Sequence, residues 1–270
     1  MTCDFILIFV LVAEKKLILI TNDDGITAPG ILFLSHIAKQ FGDVCVIAPD
    51  KPQSGMSNAI TLNSTLRAEP SNLHKVMIEY ACSGTPVDCV KIAVNKLLGR
   101  KPDLVLSGIN HGSNLSINVI YSGTMSAAIE GAIEGIPSIG FSLSDFSINA
   151  DFSHCEEIVR EIIWKTLSQN ITGPFCLNVN IPKLKADEMK GIKVCRGAIG
   201  NWVEEFDERM DPSGKPYYWL TGKFVNMEEG NPETDLYLNK EGYVTIVPVD
   251  FDMTNHAQVK SLKTIFEQNA

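Results

Sequence analysis

Between residues 17 and 181 the chain alternates short apolar runs with amphipathic stretches, and the period of each predicts the element it forms. Leu17-Ile18-Leu19-Ile20-Thr21 is apolar along nearly its whole length, as a parallel strand buried on both faces must be, and it stops abruptly at Asn22-Asp23-Asp24-Gly25. From Pro29, a residue suited to a first helical turn, Ile31, Leu34, Ile37 and Ala38 recur at helical spacing and predict a helix to about Gln40. Further strands are predicted over 44–48, 104–107, 138–142 and 175–181, with short candidates at 60–62 and 76–81. Thr85-Pro86 reads as an N-cap and first-turn proline, Asp88 favours the positive helix end, and that helix runs to about Leu98. Ser122-Gly123-Thr124 opens a small-residue helix through Glu134, and another helix is expected around 155–167. Two loops interrupt the alternation: 49–58, rich in Pro, Ser and Gly, and the polar stretch 108–118.

This alternation predicts an α/β protein with a Rossmann-like three-layer fold and a mostly parallel sheet covered on both faces. After Pro182 the texture changes. Residues 209–216 read as the tip of a hairpin, Tyr217-Tyr218-Trp219-Leu220 as its return strand, and 243–249 as one more strand. The expected organisation is an N-terminal extension at 1–16 and a single α/β domain at 17–270, from which a C-terminal β-hairpin arm protrudes at about 192–227. An aromatic strand in a polar insertion needs a surface to pack on, such as a second subunit.

Composition narrows the function. A chain of 270 residues buries a sizeable core, and a net charge of -9 argues against binding nucleic-acid polymers, which calls for a basic face. It leaves room for a small phosphorylated substrate, because a cation can supply positive charge locally. The seven cysteines are scattered and form no Cys-x-x-Cys pair, so no zinc or redox motif is indicated; they read as buried thiols of a reducing cytoplasm. The apolar run 5–13 is too short to span a membrane, has no basic residue before it, and leads almost directly into the first strand. It reads as an extension from an upstream start codon rather than a signal peptide, and the expected location is cytoplasmic, with no membrane partner.

In open α/β sheets ligands bind beyond the C-terminal ends of the strands. Asn-Asp-Asp-Gly is good turn chemistry, but adjacent carboxylates repel unless something positive faces them. Asp23 and Asp24 follow the first strand, Ser54 and Ser57 the second, and Asn110 and Asn114 the strand at 104–107. Each serine or asparagine alone reads as a turn residue; their joint placement after strands favours a site. Carboxylates, a hydroxyl and an amide carbonyl without His or Cys suit Mg²⁺, Mn²⁺ or Ca²⁺ better than Zn²⁺ or Cu²⁺. Tyr121-Ser122-Gly123-Thr124-Met125-Ser126 enters a helix, and free N–H groups there would hold a phosphate, although Ser122 alone reads as an ordinary cap. His111 lies in the site loop, either as a proton donor or merely exposed.

These residues closely resemble the SurE (survival protein E) nucleotidases. The resemblance is carried by Thr21-Asn22-Asp23-Asp24-Gly25 with Ala28-Pro29-Gly30-Ile31, Ala48-Pro49-Asp50 with Ser54-Gly55 and Ser57, and Gly84-Thr85-Pro86-Val87-Asp88. It continues through Pro102-Asp103-Leu104-Val105-Leu106-Ser107-Gly108-Ile109-Asn110, Tyr121-Ser122-Gly123-Thr124, Asn178-Val179-Asn180 and Tyr217-Tyr218-Trp219. It implies a metal-dependent phosphomonoesterase, a 5′/3′-nucleotidase acting on nucleoside monophosphates and also on short polyphosphate. It puts one divalent cation per subunit, Mg²⁺ or Mn²⁺ with Ca²⁺ as a further candidate, on Asp23, Asp24, Ser54 and Asn110. Asp23 and Asp24 would also be catalytic, Asn114, Ser122, Gly123 and Thr124 would contact phosphate, and the arm would join subunits into a homodimer or homotetramer. Met125 and Ser126 depart from the usual small pair, and His111 stands at a variable position. Two other classes share this look. In haloacid-dehalogenase-type phosphatases a nucleophilic Asp stands where Asn22 is, and in response-regulator receivers a phosphorylated Asp stands where Gly108 is.

Overall fold

β1 (Leu17–Thr21) lies at the centre of the sheet, and its register explains why Leu17 to Ile20 are all apolar. Ile18 pairs with Val44 of β2 (Asp43–Pro49) on one side and with Leu104 of β5 (Leu104–His111) on the other. Ile18 and Ile20 point into one core with α1 (Pro29–Ala38) and α5 (Glu156–Ser168); Leu17 and Leu19 point into another with α2 (Pro86–Ile92) and α4 (Gly123–Ile133). This is the three-layer arrangement the alternation predicts. The structure is a computed structural model and describes residues 15–147, 149–169, 171 and 173–267. The expectation for the first fourteen residues of the extension therefore lies outside the described residues.

The remaining sheet strands are β3 (Ala68–Pro70), β4 (Ile78–Cys82), β6 (Ser138–Leu143), β7 (Cys176–Ile181), β8 (Ile192–Val194) and β13 (Val244–Val249). The nine strands run in the order β3-β4-β2-β1-β5-β6-β7-β13-β8. From β4 to β7 every pairing is parallel, while β3 and β13 meet this block antiparallel. The chain winds outward from β1 through β2 to β4, then returns to the other side of β1 and winds through β5 to β7. The gap beyond the C-terminal ends of β1 and β5 is thus the switch point at which such sheets bind ligands. Between β8 and β13 the chain makes the arm, a two-tier hairpin. β9 (Gly200–Val203) pairs with β12 (Lys223–Asn226) at its base, and β10 (Phe206–Met210) with β11 (Pro216–Leu220) at its tip. The short helices α3 (Asn118–Tyr121) and α6 (Asp235–Lys240) and the exposed α7 (His256–Phe266) complete the described chain. Among the described residues no helix is long and apolar enough to cross a membrane.

Most predicted bounds agree with the structure to within two residues, and three do not. Residues 60–62 form no strand: Ile60 and Leu62 are exposed, and Thr61 gives its N–H and hydroxyl to Asp88, so the segment is tied to the first turn of α2 instead of pairing. Residues 108–111 belong to β5 rather than to a loop. The strand passes through a register shift between Ser107 and Asn110, where Ile109 is fully buried and the Gly108–Ile109 peptide is cis. Gly108 has φ 125°, and a Cβ there would sit 2.4 Å from the Phe141 carbonyl oxygen, so only glycine fits. The helix predicted from Thr85 to Leu98 ends as α2 at Ile92 and continues as a π-helical turn, Ala93–Leu97.

Candidate active site

The turn after β1 is braced from three sides. Asn22 Nδ2 donates to the Gly25 carbonyl, Ile26 N–H to Pro49 at the end of β2, and Gln53 N–H to the Asp23 carbonyl at 2.7 Å. The last bond sets the exposed Ser54, next in the chain, beside the carboxylate turn. Asp23 itself is buried, 4% exposed, and its carboxylate meets the first turn of α4: the Thr124 hydroxyl donates to Oδ1, and the Thr124 N–H helps to hold the charge. Gly123 makes this approach possible, since a Cβ there would lie 2.7 Å from Asp23 Cβ. Burial pushes the Asp23 carboxyl up to about 6, the Thr124 hydrogen bond opposes the rise, and the neighbouring Asp24 charge adds to it. Asp24 is half-buried and faces the end of β5, where the main-chain N–H and ring Nδ1 of His111 both approach its Oδ2 at 3.3 Å.

Asn110 stands at the end of β5 in register with Ser142. It donates its amide to the Gly112 carbonyl, which leaves Oδ1 as the acceptor it can offer. Asp23, Asp24, Ser54 and Asn110 therefore come from the ends of three adjacent strands at the switch point. Ser57 is not with them: its hydroxyl donates to the Ile120 carbonyl and ties the loop to α3. Among the described residues no three His, Cys, Asp or Glu side chains cluster as a metal site, so a cation here would rest on two carboxylates and neutral oxygens. That set suits a hard divalent ion. Asn22 Oδ1, buried just past the end of β1, has no hydrogen-bond partner among the described residues, in keeping with a polar lining.

The expected phosphate residues have partners already. Ser122 is the N-cap of α4, its Oγ accepting from Met125 N–H, which still leaves its own hydroxyl hydrogen to give. Thr124 spends its hydroxyl on Asp23. Gly123 N–H, in the first turn of an 11-residue helix, is one of the donors that the helix itself cannot satisfy. Asn114 is buried in an amide network: its N–H donates to Asn180 Oδ1, its Nδ2 to Ser142 Oγ, and its carbonyl accepts from Asn178. One amide hydrogen and Oδ1 remain to it. This network is a part of the site that the reading of loops missed. Its signal was Asn178 and Asn180, two amides on one face of a buried strand, which must find partners inside the protein.

Fold and site together define a class: an α/β protein that gathers carboxylates, amides and a helix N-terminus at the switch point of a parallel sheet, a geometry suited to phosphorylated ligands. Comparison with known proteins narrows the class. The profile of the family described as "Survival protein SurE" matches residues 18–204. The chain is 58% identical to the 5′-nucleotidase SurE of Christiangramia forsetii over 256 residues, 93% of this chain and 97% of the relative. It is 56% identical to the 5′-nucleotidase SurE of Flavobacterium johnsoniae over the same shares of both chains. The crystal structure of the SurE protein from Aquifex aeolicus superposes with a TM-score of 0.80 at 39% identity, over 92% of this chain and 99% of that one. The chain belongs to the SurE family.

Proposed function

We propose that this chain is a metal-dependent 5′-nucleotidase that hydrolyses nucleoside monophosphates to nucleoside and phosphate, and that it also accepts 3′-monophosphates and short polyphosphate. The observation that supports this best is the Asp23–Asp24 pair at the switch point, with Asp23 in hydrogen-bond contact with the first turn of α4. The names of relatives more than half identical to it supply the nucleotide. Asp23, Asp24, Ser54 and Asn110 would hold one divalent cation, Mg²⁺ or Mn²⁺ by donor chemistry with Ca²⁺ also compatible, and that cation would supply Lewis-acid polarisation of the phosphoryl group. Ser122 O–H and Gly123 N–H would receive the phosphate at the positive end of α4 and stabilise its developing charge. The Asn178–Asn180 network would hold the Asn114 loop in place for a further contact. Asp23 and Asp24 would orient the attacking water, one of them taking its proton. Phosphate is then the main handle, and selection among nucleosides by shape alone is worth about 1–3 kcal/mol.

The arm belongs to the same proposal as a subunit contact, in a homodimer or homotetramer. Phe206, Met210, Tyr218, Trp219 and Leu220 are each more than half exposed, and such a patch in water favours association. The test of the activity is phosphate release from 5′- and 3′-nucleotides, sugar phosphates, polyphosphate and a phosphodiester, each with Mg²⁺, Mn²⁺, Ca²⁺ or chelator. Metal-dependent release from the nucleoside monoesters with the diester resistant is the expected result; activity confined to the diester, or undiminished by chelator, rejects the reading.

A further inference from the structure

The two carboxylates of the turn are held by different elements. Asp23 is clamped by Thr124 from α4. Asp24 is met from the end of β5, where the His111 N–H and the His111 ring Nδ1 converge on one atom, Oδ2, each at 3.3 Å. Among the described residues Asp24 Oδ1 accepts no hydrogen bond. The ring itself is seated: it stands perpendicular to the buried Phe152, with ring centroids 4.9 Å apart and planes at 88°. Nε2 is buried and has no hydrogen-bond partner among the described residues. Only Nδ1 faces an acceptor, so the tautomer with its proton on Nδ1 fits the site, as when a carboxylate hydrogen-bonded to an imidazole N–H is fixed in orientation.

We propose that His111 is a positioning residue for Asp24. By engaging Oδ2 with two donors it fixes the carboxylate and leaves Oδ1 to the divalent cation. The proposal rests on the reading that Asp24 is a metal ligand. It assigns a role to a position at which the family resemblance predicts none, and it concerns affinity for the ion, not the movement of a proton. Hydrogen-bonded partners of metal ligands typically change affinity by about 10–100-fold when removed.

The measurement is Mn²⁺ binding to the substrate-free protein, followed by electron paramagnetic resonance, with thermal unfolding as a control. His111→Phe keeps a ring against Phe152 and removes the donor; His111→Asn keeps an N–H near the place of Nδ1. The Phe variant is expected to bind Mn²⁺ about 10–100-fold more weakly with an unchanged melting temperature, and the Asn variant to keep wild-type affinity. Equal binding by the Phe variant, or an equal loss in both variants, overturns the positioning role. Asp24→Asn separates this from the underlying reading: if it binds Mn²⁺ like the wild type, Asp24 is not a ligand and the proposal falls with that assignment. Should the Phe variant unfold, nitrogen-15 spectra of the wild type decide, because a proton found on Nε2 rather than Nδ1 overturns the proposal and one on Nδ1 supports it.

Discussion

A carboxylate buried beside a second carboxylate is costly as an anion, and Asp23 shows the consequence. Burial chiefly, and then the Asp24 charge, hold it at about 6 against the pull of Thr124. Its folded value thus lies above the 3.8 of an unperturbed aspartate, so its contribution to stability is complete below pH 3.8 and is lost as the pH rises through 6. A rise of this size corresponds to about 3 kcal/mol. In protein stripped of metal, Asp23→Asn keeps the shape and an acceptor for Thr124 while removing the charge. It should therefore be more stable than the wild type at pH 8, by up to about 3 kcal/mol in urea unfolding, and indistinguishable at pH 3.5. Added Mn²⁺ should close the gap by binding the native wild type alone, and the variant should release little phosphate from a nucleotide. Coincident urea curves at pH 8 would show that the Asp23 charge is not strained.

At the scale of elements, an ion pair helps to tie down the base of the arm. Arg196 binds both carboxylate oxygens of Glu228, and Ile199 N–H donates to Glu228 Oε2 at 2.7 Å. Arg196 chiefly, with the Ile199 N–H, holds the carboxyl down at about 2. The folded value lies below the ordinary 4.5, so this tie is complete above pH 4.5 and is lost as the pH falls towards 2. Hydrogen-exchange protection of Ile199 and of Met227, whose N–H donates to the Ile199 carbonyl, should fall in acid before that of β1. Glu228→Gln should show the same loss at pH 7; unchanged protection in that variant would mean that the pair does not hold the arm. Elements whose signals are local were legible in advance. Thr85 caps α2 with Asp88 returning the bond, and Ser122 caps α4. The error at 60–62 has a physical reason: Ile-Thr-Leu alternates like a strand, but what decides is the distant Asp88, which takes Thr61 away from any ladder.

For the whole molecule, the arm is separable from the sheet. No residue from 201 to 233 is buried, and its attachment runs through Trp202, which packs on Phe224 and donates to Asn118 Oδ1. Deleting 205–222 leaves Val203, Glu204 and Lys223 as a three-residue loop between the paired Trp202 and Phe224, so the base hairpin can close while the aromatic tip is gone. The shortened chain should stay folded and run as a smaller species in light scattering than the full-length protein. An unchanged mass would assign self-association to another surface or exclude it.

The order of apolar and polar positions by itself determined the three-layer class, the places of the central strands and the turn that carries Asp23 and Asp24, because a strand buried on both faces leaves a continuous apolar run and a helix leaves a stripe. The tertiary structure decided which chemistry meets at that turn. His111 meets it because β5 continues past Ser107 through a shift in register, and Asp23 is bound by Thr124 because Gly123 lets α4 approach. Partners of this kind stand 87 and 101 residues apart in the chain. No local period encodes such a contact: it depends on strand order, on register and on the space left by a missing Cβ, all of which exist only once the sheet has closed.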